Sequence, residues 1–311
     1  MKSVLRTALI LTSPLMALAA LPSTAALAQD ARPLDEAPRT AVVSAFEPEW
    51  LALQEALIER EEYEIAGVEF VTGRIEGRRV VLFLSGVSMV NAAMTAQIAI
   101  DHFNLREIVF SGIAGGVDPQ QSIGDVVVPE RWAQYLEAVF ARETDEGFTP
   151  PSFIETPFPN YGMIFPREVD VARAGGEMEE HFWFQVNGAL FETARQLTNA
   201  VTLQLCTSDD TCLSEQPTIR VGGSGVSGQA FVDNGAFRDY VFETFGANVL
   251  DMESAAVAHV AYANDVPFIA FRSVSDLAGG GPSENEMATF MQIASDNSAR
   301  VVRAFLAALP E

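Results

Sequence analysis

Glu49 and Asp276, carboxylates from opposite ends of the chain, have the surroundings best suited to cleaving a bond. Such a pair can flank a scissile sugar linkage, one member activating water while the other protonates the leaving group. Glu49 follows Glu47-Pro48 where a helical pattern opens, and Asp276 stands where an apolar strand meets Gly279-Gly280-Gly281. Burial in such a crevice disfavours the charged form of an aspartate and suits an acid. The alternative is structural: a glutamate favours the positive end of a helix, and an aspartate favours turns. Asp251-Met252-Glu253, just before another helical pattern, adds a further carboxylate group.

These residues need a scaffold that carries them to one place, and the hydrophobic pattern supplies one. Thr40 to Phe46 reads as a strand, followed by an amphipathic helix from Glu47 to about Arg60. Val68 to Ile75 and Arg79 to Ser85 read as strands joined at Glu76-Gly77, then Met89 to Phe103 as a helix. Glu107 to Ile113 and Asp125 to Pro129 read as further strands. After a break, strands are expected at Thr218 to Val221, Ala247 to Leu250 and Pro267 to Val274. Helices are expected at Gly235 to Phe245, Glu253 to Ala263 and Glu284 to Leu309. This is the alternation of a single α/β domain with a mixed, largely parallel central sheet flanked by helices. The stretch from about 131 to 216 is rich in Phe, Pro and acidic residues, with only Asn187 to Thr198 helical, and reads as an elaborated insertion. In open α/β sheets ligands collect at the carboxyl ends of the strands, where Glu49, Ser85, Glu253 and Asp276 fall.

Residues 1–28 read as a signal peptide: Lys2 and Arg6, an apolar run from Thr7 to Ala20, and small residues at Ala26-Leu27-Ala28. The expected organisation is therefore that segment, a polar tail over 29–38 and one domain over 39–311, exported to the periplasm or medium. No later apolar run approaches the roughly 20 residues a bilayer requires, so no membrane association is expected after cleavage. With 19 basic against 42 acidic side chains the net charge is −23. That excludes nucleic-acid polymers as expected partners, since phosphate neutralisation needs clustered Lys and Arg.

Cys206 and Cys212 are the only cysteines, and in an exported chain a local disulfide is expected. The three histidines are far apart and no Cys-x-x-Cys occurs, so no metal site is expected. Gly223-Ser224-Gly225-Val226-Ser227-Gly228 has dinucleotide-type spacing after a strand, but no helix opens inside it. It reads as a flexible or ligand-lining loop, and no cofactor is expected.

Six ordered segments resemble the nucleoside phosphorylase/nucleosidase superfamily, most closely its methylthioadenosine/S-adenosylhomocysteine nucleosidases and the plant bark storage proteins. They are Ala45-Phe46-Glu47-Pro48-Glu49, Ser85-Gly86-Val87, Ser111-Gly112-Ile113-Ala114-Gly115-Gly116, Gly124 to Pro129, Asp251 to Ala256 and Arg272 to Asp276. The resemblance implies hydrolysis of the N-glycosidic bond of a purine nucleoside. Glu49 would orient the attacking water, and Asp276, supported by Ser275, would protonate the purine at N7. It further implies that Glu253 holds the ribose hydroxyls, Met252 packs on the sugar, and Phe231 and Val232 cradle the base. Ser85 and Arg272 would be polar groups near the water and ribose, and Phe46 and Met287 would line an apolar 5′ pocket. A nucleoside is thus the implied small-molecule partner, and a homodimer or larger homo-oligomer the implied assembly. Gln229 stands where this branch usually carries Asp beside the base, so base preference stays open. A phosphorylase and a non-catalytic nucleoside-binding or storage protein remain the alternatives.

Overall fold

The structure is a computed structural model describing residues 34–310 except 174, 209, 282 and 283. The expected signal peptide over 1–28 lies outside the described residues. The first half runs β1 (Asp35–Ser44), α1 (Glu47–Ala56), β2 (Ile58–Ile65), β3 (Val68–Ile75), β4 (Arg78–Leu84), α2 (Met89–His102), β5 (Phe103–Gly116), β6 (Val126–Val128) and β7 (Arg131–Gln134). Short strands follow at β8 (Ala138–Phe140), β9 (Arg142–Thr144), β10 (Gly147–Thr149), β11 (Ile164–Pro166), β12 (Val169–Val171), β13 (Glu179–His181) and β14 (Trp183–Gln185). The chain closes with α3 (Gly188–Arg195), β15 (Ile219–Val221), β16 (Ser224–Ser227), α4 (Gly235–Phe245), β17 (Ala247–Asp251), α5 (Ser254–Ala263), β18 (Phe268–Asp276) and α6 (Met287–Ala308).

One mixed sheet organises the domain in the order β14-β7-β16-β17-β5-β1-β4-β3-β2, with β18 also paired to β5 and β6. Its centre is parallel: β1 pairs with both β4 and β5, and β18 with β5. Alternate side chains leave opposite faces of a strand. Val43, Phe83, Phe110 and Ala270 therefore pack with α2 and α5, whereas Val42, Leu82, Val109 and Ile269 pack with α1 and α6. Both faces are thereby covered, as an α/β sheet requires.

Four expectations are corrected. β1 begins at Asp35, so part of the expected tail is strand: Asp35 pairs with Phe103. The first helix ends at Ala56 rather than near Arg60, because Leu57 turns to extended backbone and β2 follows. β2 is a mostly exposed, charged edge strand, so its sequence lacks the apolar alternation that marks a strand. The supposed insertion over 131–216 contributes β7 and β14 to the central sheet, with β7 parallel to β16.

The fourth correction concerns the glycine-rich stretch 223–228, of which Ser224–Ser227 form a buried strand, β16, rather than a flexible or ligand-lining loop. A Cβ at Gly225 would lie 2.5 Å from the Trp132 ring, and one at Gly228 2.5 Å from Leu136. Gly225 and Gly228 make room for Trp132 on β7 and for Leu136 just after it.

Cys206 and Cys212 are disulfide-bonded, as expected. The loop they close is short, so changing both to Ser should lower unfolding free energy by about 2 kcal/mol. Urea midpoints of the oxidised protein and the double variant test this; equal midpoints would leave the bridge without a stabilising role.

Candidate active site

The carboxyl ends of β1, β5, β17 and β18 meet the first turn of α1 and the segment after β16 around a pocket of about 730 Å³, its open mouth included. Of the residues singled out in the sequence, Phe46, Glu49, Phe231, Val232, Met252, Glu253, Ser275, Asp276 and Met287 lie on its wall. Ser85 and Arg272 do not. Ser85 is buried with its hydroxyl donating to Gly86 O at 2.9 Å, and Arg272 is fully buried behind the wall.

Glu49 occupies the first turn of α1, which Pro48 opens without forfeiting a helical bond. Its Oε2 accepts from Ala45 N at 2.6 Å and Phe46 N at 3.4 Å, so the helix-terminus role is present. The same carboxylate does more: Oε1 accepts from Ile113 N at 2.8 Å and lies 3.7 Å from Arg272 Nη1. At 2% exposure, burial pushes its pKa up, against the lowering effects of Arg272 and the three backbone N–H groups. A raised carboxyl suits a base that must release as well as take a proton.

Glu253 ends the turn from β17 into α5. Burial, with the Asp251 charge beside it, pushes its pKa up to about 7, opposed by Arg272 and by the N–H of Ser88. Ser88 N donates to Glu253 Oε1 at 2.8 Å. Ser88 holds φ +81°, a conformation costly for any residue but glycine, and the bond to Glu253 helps to hold it.

Asp276 ends β18 and is 3% exposed. Its Oδ2 accepts from Ser275 Oγ at 2.9 Å, and its Oδ1 from Ala278 N at 2.8 Å and Asn285 Nδ2 at 3.2 Å. The side chain is thus aimed by bonds on its protein side while it forms part of the cavity wall.

Three residues that organise the site were not given these roles by sequence reasoning. Asp251 Oδ1 accepts from Glu253 N and Ser254 N, both at 3.2 Å, and from Ser227 Oγ. Its Oδ2 lies 2.8 Å from Arg272 Nε, an ion pair whose N–H points instead at Ser254 Oγ, 2.9 Å away. Arg272 also lies 3.8 Å from Glu253 Oε2, and its guanidinium stacks 4.1 Å over the Phe110 ring. One cation therefore balances Glu49, Asp251 and Glu253. Asn285 Oδ1 accepts from Met287 N at 3.0 Å at the start of α6, and its Nδ2 holds Asp276. The sequence pattern puts the start of this helix at Glu284, so Asn285 reads as a helical residue; the structure starts α6 at Met287 and leaves Asn285 free to reach Asp276.

Gly112 explains how Glu49 and Arg272 can approach β5 so closely. A Cβ there would fall 2.1 Å from Arg272 Nη1 and 2.6 Å from Glu49 Oε1. Gly112→Ala should cost about 1–3 kcal/mol by forcing this pair apart. An unchanged denaturation midpoint would show that the pair can give way freely.

The site has the parts for general acid–base cleavage next to a developing positive charge. The carboxylates outnumber the cation, burial strengthens their field, and no Lys or Arg lines the pocket among the described residues. No group of His, Cys, Asp and Glu able to hold a metal occurs among the described residues.

Comparison with known proteins finds relatives over most of the chain. A family model described as the phosphorylase superfamily matches residues 39–307. The 5′-methylthioadenosine/S-adenosylhomocysteine nucleosidase of Mycobacterium bovis is 30% identical over 268 residues, covering 86% of this chain and 96% of the relative. Bark storage protein A of Populus deltoides is 27% identical, covering 79% and 80%. The crystal structure of a 5′-methylthioadenosine/S-adenosylhomocysteine nucleosidase from Neisseria meningitidis, in complex with methylthio-immucillin-A, superposes with a TM-score of 0.66. It is 24% identical, and the match covers 87% of this chain and 99% of that one.

Proposed function

This chain belongs to the phosphorylase superfamily, and from that premise we propose that it hydrolyses the N-glycosidic bond of a purine nucleoside. The substrate class is a purine nucleoside, either 5′-modified, as methylthioadenosine and S-adenosylhomocysteine are, or unmodified, as adenosine is. The observation that carries this reading is the convergence of Glu49, Glu253 and Asp276 from separate elements on one cavity.

In the proposed reaction the nucleoside's C1′–N9 bond breaks, its electron pair passing to the purine while Asp276 delivers a proton at N7. The sugar becomes oxocarbenium-like, and Glu49 takes a proton from water as its oxygen attacks C1′. Glu253 binds the ribose hydroxyls, and its negative charge favours the cationic sugar more than the neutral substrate. Met252 packs on the sugar, Phe231 and Val232 cradle the base, and Phe46 and Met287 border the 5′ substituent. Arg272 acts from behind the wall by fixing three carboxylates, and Ser85 by fixing the backbone after β4.

Hydrolysis is favoured over phosphorolysis by a specific feature. A phosphate dianion needs cations that converge on it, and Arg272 is fully buried against carboxylates instead. Gln229 is exposed and borders an adjoining hollow with Gln134 and Glu137, so its effect on base preference is indirect. The protein is proposed to work after export and as a homodimer or larger homo-oligomer. Val87, which lines the cavity with Phe231, and Val90 and Met94 on α2 are exposed apolar residues suited to a second copy.

A panel of purine nucleosides incubated with the full protein, read by chromatography of the free base, tests the proposal. Release of adenine from methylthioadenosine is the expected result. Binding without release would favour the storage-type alternative.

A further inference from the structure

Ser298 lies on α6, outside the cavity wall, and is fully buried. It sits among Ala294, Ala299, Val301 and Val302, where an alanine would satisfy packing alone. A serine inside a helix commonly returns its hydroxyl to the carbonyl one turn earlier. This one reaches out of the helix: Ser298 Oγ donates to Phe271 O on β18 at 3.1 Å. It also accepts from Gly112 N on β5 at 3.1 Å and lies 3.0 Å from Ser111 Oγ. The hydroxyl has one hydrogen, which Phe271 O takes, so Ser111 supplies the hydrogen of the third bond. The full capacity of the hydroxyl, one donor and two acceptor positions, is spent on the two strands beneath the site.

Those strands carry the partners of Glu49. Gly112 touches the Glu49–Arg272 pair, and Ile113 N, one residue on, is the donor to Glu49 Oε1. Arg272 follows Phe271 directly. We propose that Ser298 is a positioning residue for Glu49, fixing the β5 and β18 backbone so that Ile113 N and Arg272 meet its carboxylate. This role rests on the hydrolytic reading only in its effect on turnover.

The groups facing Glu49 are Arg272 from β18, Glu253 at the start of α5, and the N–H groups of Ala45, Phe46 and Ile113. Asp251 acts through Arg272, Asp276 stands elsewhere on the same cavity wall, and Ser298 itself brings no charge. Loosening Ile113 N withdraws a bond that favours the ionised carboxylate, so Glu49 should titrate at higher pH.

The test compares Ser298→Ala with Ser298→Thr, which keeps the hydroxyl, and Ser298→Cys, which nearly keeps the size. Ser298→Ala should lower kcat about tenfold with KM within about twofold, and move the acid limb of kcat/KM to higher pH. Ser298→Thr should restore both. If the Ala variant fails to fold, Ser298→Cys should show the same changes in the same direction.

A second readout needs no turnover: the Ile113 amide resonance, followed in protein labelled at isoleucine, should titrate with Glu49. Its midpoint should rise in Ser298→Ala. Unmoved titration and acid limb, with only a lower melting temperature, would overturn the positioning role. Failure of the wild-type protein to release base would overturn the hydrolytic reading instead, leaving the amide titration to decide this one.

Discussion

Asp276→Asn is expected to lower the rate of base release at saturating nucleoside by at least about 100-fold. The substitution keeps shape and size, and an amide oxygen can still accept from Ala278 N and Asn285 Nδ2. What it removes is the transferable proton. An amide can donate a hydrogen bond to N7 but cannot give its hydrogen up, so the purine would have to leave with its charge uncompensated. The loss should fall on kcat with KM little changed, because the missing interaction belongs to the transition state. A kcat within about threefold of wild type would remove Asp276 from the acid's role.

Glu49→Gln should have a comparable effect, at least about 100-fold, for a different reason. Both oxygens of Glu49 accept backbone N–H bonds: Ala45 and Phe46 on one side, Ile113 on the other. A carboxylate satisfies both sides, whereas an amide must turn its NH2 toward donors on one of them. Either orientation leaves a buried donor facing a donor, so the variant should also lose about 1–3 kcal/mol of stability. Arg272 would lose one of its three carboxylate partners as well. Rates therefore need to be compared well below the variant's melting temperature. Catalysis that persists in the folded variant would show that water does not need Glu49 to take its proton.

The frame of the fold was legible because the apolar residues of β1, β4, β5 and β18 alternate between two helix layers. Their periodicity also placed α2, α4, α5 and α6 within a few residues of where they lie. β2 was not legible, since an edge strand of Glu, Arg and Tyr carries no buried face to announce it. β16 was misread because Gly225 and Gly228 are explained by Trp132 and Leu136, residues nearly a hundred positions earlier. No local pattern encodes that contact.

The same division applies to the site. Glu49, Glu253 and Asp276 stand at element ends, and sequence position suggested them as chemically active. The buried group of Asp251 and Arg272, and the Ser298 contacts with β5 and β18, join parts of the chain that come together only on folding. Arg272 in particular read as a polar group near the ribose, whereas burial and three carboxylates make it a fixed counter-charge behind the wall.

Base release from methylthioadenosine by protein dialysed free of phosphate, measured with and without added inorganic phosphate, separates attack by water from attack by phosphate. Cleavage by water predicts adenine and free methylthioribose at the same rate in both. Release that requires phosphate and yields the sugar 1-phosphate would contradict it.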